Sequence, residues 1–363
     1  MQHRSYYYAL TERDCCACLT CSALHFFAIA CFLLGAGAWF GHDRISGSPI
    51  LRYFVEQPSA ATVRPPIGSP VAAYTCVRAN NISSLPTPRD YCAEGVQPGS
   101  DIAEFPALSE WIPCDQLQRL QHNGDIVASS ANCGFADFAV NFVRAHKRLG
   151  RNNVLIVAED CAAYRLLSKE LGHDHVAKPL LPPTTQQATK FLDAEYGNIV
   201  RRRALYLQAL LHAGIKPLWQ DTDTVPIMDP FAVLPQGLGA VDIVVVDDTT
   251  SLCACFIYLG GNPVHALWVV ERWASILHEK PENNDQPAFN QAMKDALDPA
   301  IFGSNSFTRA ILPERQFPSG AVFDKYRHTA LWDHANWLVG REAKQSALQR
   351  RGHWNVTDFQ VVC

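Results

Sequence analysis

The sequence predicts an α/β fold built on a sheet with parallel strands, and three observations carry that expectation. From Asp125 onward, short apolar runs alternate with segments of helical periodicity, the order that builds strand–helix–strand units. "NVLIVAED" (Asn153 to Asp160) is a continuous apolar run, as expected of a strand covered on both faces. Carboxylates stand just beyond the apolar runs, Asp160 after "VLIVAE" and Asp221 and Asp223 after the run that starts at Ile215. Open α/β sheets gather their ligands at these carboxyl ends of strands.

The elements follow in order. "DIVASSA" reads as a short strand. In "FADFAVNFVRAHKRLG", Phe135, Phe138, Ala139, Phe142 and Val143 recur at helical spacing, and Gly150 marks the end. The strand of "NVLIVAED" comes next, then a helix over Tyr164, Leu167 and Leu171. A long helix is expected from about Ile199 to Ala213, stopped by Gly214, and the strand Ile215 to Trp219 runs into the aspartates. Farther on, Pro287 begins a helix whose apolar side includes Phe289 and Met293, which leaves Asn284, Asp285 and Gln286 at its N-terminus. No internal repeat is present.

The 363 residues suffice for a substantial core, and the net charge of -4 without a basic run gives no sign of a nucleic-acid partner. Leu19 to Phe40 carries no formal charge over a length that crosses a ~30 Å hydrocarbon layer, so residues 19–40 read as a single membrane anchor. A cleaved signal peptide is the competing reading, but its apolar region is usually shorter. Lys and Arg counts do not orient the anchor, since Arg4 and Arg13 flank one side and Arg44 and Arg52 the other. Two glycosylation sequons, at Asn81 and Asn355, point to a luminal C-terminal part, as does the even count of eight cysteines after the anchor. The expected organisation is a cytosolic tail over 1–18, the anchor, a Pro-, Ser- and Gly-rich stem over 41–122, and a folded domain over 123–363. Cys15, Cys16, Cys18 and Cys21 abut the anchor, where S-acylation and packing of the helix end are both open.

The stretch "QDTDTV" admits three readings. Two carboxylates one residue apart can share a hard divalent cation, Mn²⁺ or Mg²⁺, which bridges nucleotide phosphates and removes the repulsion between them. The stretch also fits the nucleophile motif of haloacid-dehalogenase phosphatases, with "VVVDDTT" as their second acidic pair. That reading fails on spacing, because only about twenty residues separate the two pairs where most of a Rossmann-like domain is needed. An ordinary polar turn is the third.

The blocks "ANCGFADFAVNF", "GIKPLWQDTDTVPIMDPF", "NNDQPAFNQAM", "LPERQFPSGAVF" and "HANWLVGREAKQSALQRRGHW" favour the first reading. Together, from about residue 125 to 363, they resemble the nucleotide-diphospho-sugar transferase family that includes plant rhamnogalacturonan xylosyltransferases and extensin arabinosyltransferases. The resemblance implies a GT-A fold, a Rossmann-like mixed sheet flanked by helices, in a stalked type II Golgi membrane protein. It implies metal-dependent transfer of xylose, arabinose or galactose from a UDP-sugar to a glycan or glycoprotein acceptor. A catalytically inactive Golgi protein that binds nucleotide or glycan as a scaffold is the alternative.

The resemblance also assigns roles. Asp221 and Asp223 would hold the metal, with His334 as a third ligand and Asp221 also on the nucleotide sugar. A satisfied core histidine is the other reading for His334. Gly340 and Lys344 would serve the diphosphate by close backbone approach and charge, although Lys344 also fits a solvated helix face. Asn132 and Asp160 would face the base and ribose, with a helix N-cap as the competing reading for Asn132. Arg203 stands where many members carry Lys, next to Arg201 and Arg202, which read as exposed charges. Transfer with retention is implied, with Gln286 stabilising the positive charge that develops on the sugar and Asp285 orienting hydroxyls. Asn284 or Asp285 could instead be only a cap. One departure stands out: "CACFIY" (Cys253 to Tyr258) replaces the usual N-(S/T)-G-F-F-Y. On an extended strand the Cys253 and Cys255 side chains lie about 7 Å apart, so they are expected to be separate buried thiols.

Overall fold

The computed structural model describes residues 54–56, 92 and 112–363, except 180, 182–183, 192, 235–240, 250, 281–283 and 304–306. The expected tail, the anchor at 19–40 and the sequon at Asn81 lie outside the described residues. Among the described residues no helix is long and apolar enough to cross a membrane.

The domain alternates strand and helix as the apolar pattern requires. Strand β2 (Asp125–Ala131) leads into helix α2 (Ala136–Arg148), and β3 (Val154–Ala158) into α3 (Cys161–Leu171) and the short β4 (Val176–Ala177). The long helix expected over 199–213 is broken into α4 (Ala194–Val200) and α5 (Arg203–His212), with Arg201 and Arg202 in the turn between. Strand β5 (Lys216–Gln220) follows, then β6 (Thr224–Pro226), β7 (Ile243–Asp248) and β8 (Ser251–Tyr258). Helices α6 (Pro263–Glu279) and α7 (Asp285–Leu297) precede β9 (Arg309–Leu312), β10 (Trp332–His334) and α8 (Arg341–Arg350). Two elements come from the segment read as stem: β1 (Phe54–Glu56) and α1 (Cys114–Leu120). Helix α1 packs through Leu117 and Leu120 into the core, so the folded domain starts before residue 123.

Eight strands form one mixed sheet in the order β1-β9-β7-β8-β5-β2-β3-β4, and β6 pairs with β10 in a separate two-stranded ribbon. Strands β5, β2, β3 and β4 run parallel, while β8 lies antiparallel between β5 and β7. Along β2 and β3, alternate residues enter two different cores. Ile126, Ala128, Leu155 and Val157 pack with α5, α6 and α7 on one face. Val127, Val154, Ile156 and Ala158 pack with α2 and α3 on the other. Helices on both faces explain why β3 is buried at every position and reads as an unbroken apolar run. The chain leaves β2 toward β3 in one direction and returns at β5 on β2's other side, so a crevice opens at the carboxyl ends of β2 and β5. Asn132 and Asp221 stand there.

Strand β8 is not regularly extended. Ile257 stands opposite Val245, and Cys253 stands opposite the next residue, Val246, so residues 254–256 bulge from that ladder. The bulge brings the Cα atoms of Cys253 and Cys255 to 5.1 Å, and the two form a disulfide. This corrects the expectation of separate thiols, which assumed an unbroken strand. Two further disulfides, Cys92–Cys161 and Cys133–Cys363, tie distant segments together. Cys114 is also disulfide-bonded.

Candidate active site

The aspartates are fixed from below. Buried His146 on α2 is hydrogen-bonded through Nε2 to Oε1 of Gln220, the last residue of β5, at 2.9 Å. Burial pushes this imidazole down to about 4, so it is neutral at physiological pH. Asp221 donates its backbone N–H to the Cys255 carbonyl at 3.1 Å, which joins the D-x-D turn to the β8 bulge.

Each aspartate has its own cation. Arg203, the first residue of α5, reaches Asp221 Oδ1 at 2.8 Å and lies 3.0 Å from Asp285 on α7. It also donates to the Ala254 carbonyl in the bulge. Burial opposes the guanidinium charge, but Asp221 and Asp285 outweigh it and hold the pKa above its ordinary value. Asp223 accepts from Lys344 Nζ at 2.7 Å and lies 3.4 Å from His334 Nε2. Burial disfavours its charge, yet the fields of Lys344 and His334 hold the carboxyl well below the usual range. The pairing of β10 with β6 sets His334 opposite Thr224, one residue from Asp223.

Asp221, Asp223 and His334 offer ligand atoms that all lie within 4.8 Å of one another. Two carboxylates and one imidazole suit a divalent cation. Among the described residues His334 keeps a buried Nδ1 without a hydrogen-bond partner, while its Nε2 faces Asp223. The residues present therefore fit the implied metal.

Helix α7 begins at the same crevice. Asn284 is its cap, accepting from the Asp285 N–H at 2.8 Å. Asp285 is not the cap; its carboxylate faces Arg203 and is almost fully buried. Burial, lessened by Arg203 and reinforced by Asp221, pushes this carboxyl up to about 6. Gln286 donates to Ser251 Oγ at 3.1 Å, and its Oε1 accepts from the Ala254 N–H at 3.4 Å. Its amide is therefore held against β8.

Two of the residues expected to face the nucleotide, Asp160 and Asn132, have hydrogen-bond partners within the chain. Asp160 caps α3 by accepting from Ala163 N–H at 2.9 Å, and its other oxygen accepts from Cys133 N–H at 2.7 Å. The Asn132 side chain caps nothing. Its amide donates to the carbonyls of Thr185 and Gln187 and holds that loop over the end of β2, leaving Oδ1 buried with no partner among the described residues. The loop comes so close that a Cβ on Gly134 would sit 2.2 Å from Ala188 N. Gly340 opens α8 in a left-handed conformation, φ +89°, and no side chain among the described residues caps that N-terminus.

Sequence reasoning missed several groups. Arg201 and Arg202 are not simply exposed: Arg201 donates to Leu277 O at 2.7 Å, and Arg202 pairs with buried Glu159 at 3.2 Å. Tyr206 also donates to Glu159, at 2.8 Å. Arg341 binds the Gly134 carbonyl at 3.1 Å and the Asp137 carboxylate, so α8 is clamped to the start of α2. Tyr196 on α4 lies close enough to the site that, after burial, the charges of Asp285 and Asp221 raise its phenol above the ordinary value. Its only signal in the sequence is an aromatic ring ahead of the arginine run.

Residues 149–348, more than half of the chain, match the family described as nucleotide-diphospho-sugar transferase. The chain belongs to this family. It is a nucleotide-sugar glycosyltransferase. It is 26% identical over 309 residues to UDP-D-xylose:L-fucose alpha-1,3-D-xylosyltransferase 3 of Arabidopsis thaliana, covering 74% of this chain and 76% of that one. It is 21% identical over 296 residues to the UDP-galactose:fucoside alpha-3-galactosyltransferase of Dictyostelium discoideum, covering 68% of this chain and 45% of the relative. Among solved structures, a glycosyltransferase involved in glycosylation of the major capsid of PBCV-1 aligns with 61% of this chain and 98% of its own, at 12% identity and a TM-score of 0.40.

Proposed function

We propose that this chain transfers xylose from UDP-xylose to a fucose-bearing glycan or glycoprotein, with retention of the donor's anomeric configuration. One observation carries the reading. Two aspartates one residue apart stand at the carboxyl end of a central strand, each held by a cation from a different helix, beside the N-terminus that carries Asp285 and Gln286. The plant relatives are named for UDP-xylose and L-fucose, the Dictyostelium relative for UDP-galactose and a fucoside. Fucose is common to both, which favours a fucosyl acceptor over any one donor. Galactose and arabinose remain in the donor class.

Asp221, Asp223 and His334 would hold Mn²⁺ or Mg²⁺, which neutralises the diphosphate and improves it as a leaving group. Lys344 brings a further positive charge beside Asp223, and the uncapped N–H groups that follow Gly340 face an anion favourably. Gln286, steadied by Ser251 and the bulge, would place its carboxamide oxygen against the positive charge that develops on the sugar. Asp285 fixes Arg203, and through it Asp221. The acceptor hydroxyl attacks from the side on which the phosphate departs. The glycosidic bond forms as the sugar–phosphate bond breaks, and the departing phosphate oxygen takes the hydroxyl proton, so no enzymic base is required.

A panel of UDP-sugars with Mn²⁺ and a fucose-terminated acceptor tests this, with NMR of the new linkage. UDP-xylose should give an α-linked product. A β-linked product overturns retention, and no transfer from any UDP-sugar overturns the reading. We further place the domain in the Golgi lumen, anchored by residues 19–40. The sequons and the disulfides support that compartment, and Asn355 is exposed. Protease protection in sealed microsomes should spare the C-terminus, and an accessible C-terminus with no glycan on Asn81 or Asn355 rejects the placement.

A further inference from the structure

The bulge in β8 creates a second group of metal-ligating atoms beside the aspartates and different from them in chemistry. Sγ of Cys253, Sγ of Cys255 and a ring nitrogen of His334 lie within 4.8 Å of one another, and all three residues are buried. His334 is 2% exposed, and its Nδ1 has no hydrogen-bond partner among the described residues. A buried imidazole nitrogen left unsatisfied is a cost that a ligand would remove. As a disulfide the two sulfurs are not thiolate ligands.

We propose that, once reduced, Cys253 and Cys255 join His334 in a thiolate–imidazole site for a divalent cation of the Zn²⁺ type. Thiolates select Zn²⁺ over the hard cations that suit Asp221 and Asp223, and three protein ligands leave one tetrahedral position for a water or a carboxylate. The step runs against the oxidising compartment inferred above and balances only where a thiol reductant is supplied as co-reactant. The Cys253–Cys255 S–S bond breaks, two S–H bonds form from two electrons and two protons of the reductant, and the reductant's own disulfide forms. Binding the cation then releases the two thiol protons to solvent. The sulfurs lie beyond the donor-binding reading, but His334 belongs to both groups of ligands, so the two sites compete for that ring. The thiolate site exists in this chain because Cys replaces both the Asn and the Gly of the usual motif, and because the bulge turns both sulfurs to one place.

The test uses the full-length protein and Co²⁺ as a spectroscopic probe, with reductant limited so that Cys92–Cys161 and Cys133–Cys363 stay intact, verified by mass spectrometry of alkylated peptides. Reduced wild type should bind about one Co²⁺ with thiolate-to-cobalt absorption, and the oxidised protein should show none. Cys253→Ser and Cys255→Ser should each lose most of the band, and His334→Ala should weaken binding. Asp223→Ala should keep the band while losing donor binding, so failure of this site and failure of the transferase reading are separable. Absence of the band in reduced wild type overturns the proposal. So does an undiminished band in the Cys253→Ser/Cys255→Ser double variant, which would put the cobalt on other cysteines.

Discussion

Replacing Arg203 by methionine tests the electrostatic arrangement most directly. The guanidinium is 8% exposed, contacts Asp221 at 2.8 Å and lies 3.0 Å from Asp285. Methionine keeps much of the apolar stem and removes the charge. Asp285, 5% exposed, and Asp221, 28% exposed, then face each other without a cation between them. Removing one partner of a buried pair costs about 3–5 kcal/mol. Solvent reaches Asp221 and screens its share, so a loss of about 3 kcal/mol is expected near pH 8, a large part of a typical 5–15 kcal/mol. The pH dependence gives the signature. Burial, only partly offset by Arg203, raises the Asp285 carboxyl from an ordinary 3.8 to about 6. The folded state thus keeps a proton that the unfolded state has lost, and this group's contribution to stability falls as pH rises from about 4 to about 6. Without Arg203 the folded value moves higher still. The variant then goes on losing stability above pH 6, by up to about 1.4 kcal/mol per pH unit, where wild type has levelled off. Urea unfolding followed by tryptophan fluorescence at about pH 5 and pH 8 should show a small deficit at the lower pH and the large one at the higher. Adding Asp285→Asn should recover part of the loss at pH 8. A deficit below about 1 kcal/mol at pH 8, or an equal deficit at both pH values, refutes the reasoning.

Asp223→Ala should abolish Mn²⁺-dependent UDP binding in calorimetry with the fold intact, and His334→Ala should weaken it less; undiminished binding in Asp223→Ala removes that residue from the metal site. Gln286→Ala should lower kcat by about 10²–10³ with little change in donor affinity, and wild-type turnover would leave Gln286 only its contacts to β8. Activity should fall as pH drops through about 6, because Asp285 takes up a proton there and loosens its hold on Arg203. In Asp285→Asn this acid limb should vanish from the kcat/KM profile, and an unchanged limb would assign it to another group.

The parts of the site that were legible in the sequence are those set by local pattern. A strand that ends in Asp-x-Asp, and a helix that opens on Asn-Asp-Gln-Pro, declare their positions through periodicity and capping chemistry. The family resemblance then joined His334 and Lys344 to them across the chain. Pairings decided by tertiary packing were not legible. Arg202 and Glu159 look like surface charges until the turn between α4 and α5 buries them around Tyr206. Asn132 and Asp160 sit at strand ends, as read, but a loop and a helix end claim their hydrogen bonds. The Cys253–Cys255 pair was misjudged because an insertion of residues relative to the partner strand leaves no mark in an alternating apolar run.

Strand β1 has a consequence for how this protein can be handled. It pairs antiparallel with β9 as the outermost strand at that end of the sheet, matching Phe54 with Ile311 and Glu56 with Arg309. A soluble form cut after residue 56 would lose this cover and leave β9 with an open row of backbone donors and acceptors. Such an unprotected edge recruits strands from other molecules, and clumping of the shortened protein would follow even with every residue of the crevice in place. A secreted version that begins ahead of Phe54 keeps β9 paired and leaves the three-residue β1 as the edge, too short to template much pairing.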